Sequence, residues 1–247
     1  LVLFMTLNLQ EGGLGISVVS ATAIYGIYTG AVYFLGLPGG WIADRWIGGQ
    51  NAIFYGGLII MVGHILLAIP NDNTFFLGLT FVAIGTGLLK PNIGALVGQL
   101  YERNDKRREG GYALYYMGIN IGSLIGYLIC GWVQINIGYH FAFGAAAIGM
   151  AIGLIQFRAT AYKLNGQAKL PTQPLSSEGL HATRISTLLL LGLATVFITS
   201  LLTNQISLEP VVVAQYTTAV ITAIFLFYFA GLFYFSKLSY KEMKSLV

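Results

Sequence analysis

The chain has 247 residues, of which 56% are hydrophobic and only 9% charged, and its mean hydropathy is +0.73. A water-soluble domain carries roughly 25% charged residues, so that class is excluded and a polytopic, all-α membrane protein is expected. The net charge of +4 gives no support to a nucleic-acid partner, because the basic residues sit in short loops between apolar segments, where the positive-inside rule accounts for them.

Apolar segments run over 1–9, 15–43, 51–69, 74–100, 111–134, 139–158, 185–203 and 211–236. All but the first are long enough to cross a hydrocarbon core of about 30 Å, the longest ones tilted or projecting beyond it. The first, at about 1.5 Å per helical residue, covers only about half of that core and predicts the second half of a truncated helix. The last residues, KLSYKEMKSLV, predict the approach to a further span, so the chain is expected to be an internal fragment. Thirty-two glycines suit close contact between membrane helices. The one cysteine, Cys130, lies in an apolar segment and reads as a small packing residue, which leaves no internal disulfide and no multi-cysteine metal site.

Of the 13 Lys and Arg, all except Lys90 fall in the stretches 44–50, 101–111, 158–184 and 236–244. The stretches 11–13, 70–73, 136–140 and 203–210 contain none. This alternation predicts a cytoplasmic 101–111 loop and an external 11–13 loop. The polar stretch 159–184, with Gly166, Pro171 and Pro174, marks a boundary after the sixth span. The expected organisation is a bundle over 1–162, a cytoplasmic linker over 163–184, a two-helix transmembrane hairpin over 185–236 and a cytoplasmic approach over 237–247. Six spans suit two three-span repeats, although no residue identity between the halves demonstrates them. The second hairpin helix has only Gln215 and hydroxyls as polar groups and is expected at the lipid-facing periphery.

Lys90 is the exceptional cation. It lies deep in FFLGLTFVAIGTGLLKPNIGALVGQL (75–100), about ten residues and roughly 15 Å from the cytoplasmic end, too far for its side chain to snorkel to the interface. A cation at such depth costs roughly 2.5–3.5 kcal/mol on insertion scales. Pro91 follows at once, removes a backbone donor and is expected to loosen or kink the helix near Gly87. An amine at a broken helix suits a midplane binding site. The bland alternative is a lysine paired permanently with a carboxylate, for which spans 2 to 6 offer only the edge residue Asp44.

Three further groups accompany it. GGWIADRWIGGQNAIFYGG (39–57) joins spans 2 and 3 through a glycine-rich turn. In it Asp44 can accept backbone N–H groups or meet a cation across the bundle, while Arg45 stays at the cytoplasmic face; a plain positive-inside turn is the simpler reading. In YALYYMGINIGSLIGYLICGW (112–132), Gly118, Gly122 and Gly126 predict a smooth packing face, with Asn120 projecting into a cavity beside it or else bonding between helices. Tyr33 lies too deep in span 2 for the interfacial belt and is expected to be buried with a partner for its hydroxyl, or simply packed. His64 and His140 near the outer side suit structural roles. There is no H-E-x-x-H, G-x-S-x-G or phosphate loop, so an enzyme has little support.

Together, GGWIADRWIGG, GTGLLKPNIGALVGQLY and YYMGINIGSL, in this order and spacing, resemble the proton-coupled oligopeptide transporter family of the major facilitator superfamily. The resemblance is strong over 15–134 and weaker from Leu1 to about Tyr162. It implies the superfamily's N-terminal six-helix bundle, and the apolar pair at 185–236 is similar to the accessory hairpin of bacterial members. It implies proton-driven symport of di- and tripeptides across a bacterial inner membrane by a monomeric, multi-pass carrier, with protons as the coupling ion and neither metal nor other cofactor. Lys90 falls on the family lysine, implicated in proton coupling and in meeting the peptide carboxylate. Asn120 and Tyr33 fall on substrate-contacting positions, and Asp44 with Arg45 on the cytoplasmic latch. The acidic cluster of the family's first helix would lie just upstream of Leu1. A relative carrying nitrate or another small anion, and a non-transporting receptor or scaffold, remain alternatives.

Overall fold

A computed structural model describes residues 1–102, 104–176 and 209–235, with isolated positions at 179, 183, 185, 189 and 200. The predicted span 185–203, those isolated positions apart, and the stretch 237–247 lie outside the described residues. The architecture is all-helical. A short helix α1 (Val2–Thr6) leads through a 3-10 turn (Leu9–Glu11) to α2 (Val18–Phe34), α3 (Gly36–Ile42), α4 (Gly49–Ala68), α5 (Asp72–Gln99), α6 (Arg107–Asn136), α7 (Tyr139–Thr160) and α8 (Pro210–Phe235). Helices α2 and α3 form one 30-residue span, Val18–Ile47, interrupted at Leu35. Pro38 accounts for the interruption, since it has no N–H to close a bond onto the carbonyl of Phe34.

The span does not stop where its apolar run stops. Residues Ala43–Ile47 continue as a wide π-type turn, so Asp44 and Arg45 belong to the last helical turn rather than to a loop. Gly48 then reverses the chain at φ 82. Side-chain oxygens start two helices at the same end of the bundle: Ser17 accepts the N–H of Ser20 at 3.2 Å, and Asn71 accepts that of Asn73 at 2.9 Å. At the start of α6, Asp105 accepts the Arg107 N–H at 2.8 Å and its guanidinium at 2.9 Å. These bonds hold its carboxyl below the usual carboxylate range. The brace is therefore complete at neutral pH and is lost only as pH falls through that lowered value.

Glycine contacts zip α4 to α5. A Cβ on Gly56 would lie 2.8 Å from the carbonyl oxygen of Gly85, and one on Gly63 would lie 2.9 Å from that of Gly78. Both pairs keep one antiparallel register, seven residues apart on each helix. Apolar transfer drives no association between helices in lipid, so such close approach and its dispersion contacts hold the pair. Helix α7 closes the outer side of α4, with Leu154 against Gly57. At the end assigned to the outside, the fully buried Phe4 and Phe75 pack ring to ring at 5.0 Å. His140 stands edge-on to Phe4 at 5.1 Å and its Nδ1 lies 3.0 Å from the Leu67 carbonyl.

Helix α6 departs from expectation. It has no buried residue, and a Cβ on Gly118, Gly122 or Gly126 would meet nothing within 4 Å. The predicted seam is thus an open face among the described residues, because α6 touches α5 and α7 along other sides. Helix α8 lies on α2, where Ile221 approaches Gly30.

Replacing Gly85 with Leu is expected to wedge α4 from α5 and to destabilise the bundle by roughly 1–3 kcal/mol. Gly153→Leu, at a position open within 4 Å, is expected to be neutral. Paired thermal unfolding curves in detergent check both.

Candidate functional site

The site grows from the crossing of α3 over α5. Gly39 packs directly on the Gly87 backbone, and a Cβ on Gly87 would lie 2.6 Å from that of Leu35. Only glycine fits at either position. Tyr33 lies just before Leu35 on one strand of this crossing, and Lys90 lies just after Gly87 on the other. The close approach therefore carries the Lys90 Nζ to 4.3 Å from the centroid of the Tyr33 ring. Such an ammonium–ring contact contributes about 0.5–1 kcal/mol when exposed and about 2 when desolvated.

Both partners face open space. Lys90 is exposed, and Tyr33 is 66% exposed rather than buried as expected from its depth. The reason is that the ring serves as a platform for the amine on the unfilled side of α2 and α5, so it is not a packing residue. Among the described residues Lys90 makes no ion pair; the one salt bridge there joins Arg107 to Asp105. A permanent Lys90–Asp44 pair is therefore not present.

Pro91 lies inside α5, which continues to Gln99. Without an N–H at Pro91, the Gly87 carbonyl has no i+4 donor. Beside the gap stands a tie to the neighbouring helix that the residue pattern did not predict. Asn92 is 5% exposed, the one buried polar residue among those described, and its Nδ2 donates to Leu88 O at 2.6 Å and to Gly39 O at 3.2 Å. It fastens the weakened segment of α5 across to α3. The signal was an amide immediately after a mid-helix proline, opposite a glycine-rich span end.

Asn120 stands apart. Its Nδ2 donates to Tyr116 O at 2.9 Å, within its own helix, and no hydrogen bond or ring contact among the described residues joins it to Lys90 or Tyr33. It is exposed on the open side of α6. With no helix packed there, the amide bonds back to the preceding turn.

Asp44 and Arg45 form a second locus. Among the described residues the Asp44 carboxylate meets neither a helix start nor a cation: its Oδ1 accepts the Thr172 hydroxyl at 3.0 Å. The backbone carbonyls of Asp44 and Arg45 accept the N–H groups of Gln173 at 2.9 Å and Leu175 at 3.1 Å. The linker after α7 thus lies on this turn. No group of three or more His, Cys, Asp or Glu suited to a metal ion occurs among the described residues.

Residues 50–177 match the profile of the POT family. Over the full chain it is 37% identical to "Peptide transporter YePEPT" of Yersinia enterocolitica, covering 50% of that protein. Over 71% of its length it is 39% identical to a "Di-/tripeptide transporter" of Lactobacillus helveticus, covering 36% of that protein. A crystal structure of a peptide transporter POT in complex with sulfate superposes with a TM-score of 0.86 at 35% identity, over 97% of this chain and 49% of that one. The chain thus spans half or less of the length of these relatives.

Replacing Asn92 with Ala is expected to free the Gly39 carbonyl and lower stability by roughly 0.6–1.7 kcal/mol, the range of polar contacts between membrane helices. A shift in the detergent melting temperature measures it.

Proposed function

This chain belongs to the POT family, and from that premise we propose that it forms one wall of a proton-coupled carrier of di- and tripeptides. The observation that carries the reading is the Lys90 ammonium seated on the Tyr33 ring, on an open face built by two helices. A lone cation that is held by a ring and has no carboxylate partner among the described residues is poised for an incoming anionic group. A peptide C-terminus supplies one, and a carboxylic acid that gains or loses a proton can exchange with it. Burial on closure of the cavity strengthens either contact, because both charges then leave water together.

In this reading residues 1–162 form the N-terminal bundle, 163–184 the cytoplasmic linker and 185–236 the accessory hairpin. The second wall comes from the half of the relatives' length that this chain does not match. Docked on the exposed side of α6, it would bring substrate against Asn120 and give Gly118, Gly122 and Gly126 a partner. Asp44 and Arg45 would latch the cytoplasmic side, and the Pro91 break would let the end of α5 adjust as the two walls rock about the midplane. The protein would act as a monomer in a bacterial inner membrane. The Coulomb and hydrogen-bond exchanges at Lys90 need no covalent step, metal or organic cofactor.

The test uses the full-length transporter in liposomes, following labelled dialanine with and without an inward acid gradient. Gradient-driven accumulation is expected, with Lys90→Ala removing the gradient dependence. Tyr33→Phe keeps the ring and is expected to retain most uptake, whereas Tyr33→Ala lowers it. No accumulation by a folded, inserted protein would exclude peptide symport, and uptake of nitrate instead would assign a small-anion carrier. Tight peptide binding without flux would mark a receptor.

A further inference from the structure

We propose that Thr172 is a positioning residue for the cytoplasmic latch, and that residues 167–175 form a strap mounting it on the turn at the end of the second span. The proposal rests on the reading of Asp44 as the latch carboxylate.

The strap is anchored at both ends. At one, Gln50 donates its backbone N–H to Ala168 O at 2.9 Å and its Nε2 to Gln167 O at 2.6 Å. At the other, Gln173 and Leu175 donate their N–H groups to the carbonyls of Asp44 and Arg45. Between them, the Thr172 hydroxyl donates to Asp44 Oδ1. These contacts join residues well over a hundred positions apart, and they involve the backbone carbonyls of Asp44 itself and of the residue after it.

Two backbone features show that the fit is specific. Ala168 adopts φ 54, a left-handed conformation that a residue with a Cβ disfavours, and its carbonyl is the acceptor for Gln50. Gly48, at φ 82, lies so close to the Lys169 backbone that a Cβ would stand 2.8 Å from the Lys169 carbonyl carbon. The reversal of the second span and the linker are therefore shaped to each other. The polar linker is a docked part of the latch.

The chemistry follows from a carboxylate having two oxygens. Thr172 takes Oδ1, while Oδ2 has no hydrogen-bond partner among the described residues and the side chain is exposed. The hydroxyl fixes the rotation of the carboxylate, so Oδ2 is held ready for a donor on the opposing wall when the cytoplasmic side closes. A pre-oriented acceptor gives up less side-chain freedom at that moment. Thr172 thus acts through Asp44 and touches neither substrate nor proton path.

The experiment uses the full-length transporter, cleared of native cysteines and spin-labelled at the cytoplasmic ends of its two walls. Electron–electron resonance distances report the cytoplasm-closed population, and liposome uptake gives Vmax and KM. Thr172→Val keeps the shape and removes the donor. It is expected to lower the closed population about two- to tenfold, the weight of one hydrogen bond. It should reduce Vmax without moving KM, and Thr172→Ser should restore both. If Asp44→Asn disturbs the distances while Thr172→Val matches the wild type, the strap role is overturned and the latch reading stands. If neither substitution changes them, Asp44 is not a latch and the proposal falls with it. Failure of Thr172→Ser to rescue would show that the methyl contact matters rather than the donor, and would also overturn it.

Discussion

The approach of α5 to its neighbours at bare backbone is the constraint on which the rest of this protein depends. Water ordinarily drives helices together, but in lipid that force is missing and contact distance takes its place. Gly56, Gly63, Gly78 and Gly85 let α4 and α5 meet at their main chains, and Gly39 with Gly87 does the same for α3 and α5. A methyl group at any of these positions would push the helices apart. The amine at Lys90 would then lose the ring beneath it, since Tyr33 and Lys90 reach each other only because their backbones nearly touch a turn away.

The same crossing reconciles stability with a weakened helix. Pro91 breaks the hydrogen-bond ladder of α5 beside the charged side chain of Lys90, and an unpaired carbonyl in the membrane is costly. Asn92 braces the weakened segment, bonding to the Leu88 carbonyl of its own helix and to the Gly39 carbonyl of α3. The charge and the brace are two residues apart in sequence but face different directions, Lys90 toward the open side and Asn92 into the interior.

Much of this was legible in the residues. Hydropathy placed the described spans to within a few positions, and the depth of Lys90 followed from counting residues to the nearest loop. Four features were not legible, each for a physical reason. Composition cannot show that a helix continues as a π turn through Asp44 and Arg45, because charged and glycine residues look like a loop whether or not the backbone still bonds to itself. A glycine every fourth residue predicts a packing face but not its occupant, so the stripe on α6 proved open while the sparser glycines of α4 and α5 formed the seam. The linker looked like a boundary because most of its contacts with the 44–50 turn run through backbone groups, which side-chain identity does not report. Similarly, the depth of Tyr33 gave its height in the membrane and not the direction in which its ring points.

The seven-residue spacing of the two glycine pairs has a mechanical meaning. Helices packed by interdigitating ridges can slide past one another in small steps, a common way for proteins to change shape. Here each glycine is a slot cut for one backbone, and the positions just beyond carry branched side chains: Ile60 already presses on Gly85, and Val82 on Gly63. Shifting either helix by a turn would drive those side chains into main chain. The α4–α5 pair is therefore keyed against shear and must travel as one stiff plate. Deformation within α2 to α5 is then left to the Pro91 break near the end of α5, the joint at Leu35 and the turn at Gly48, and the last two bound the segment carrying Asp44.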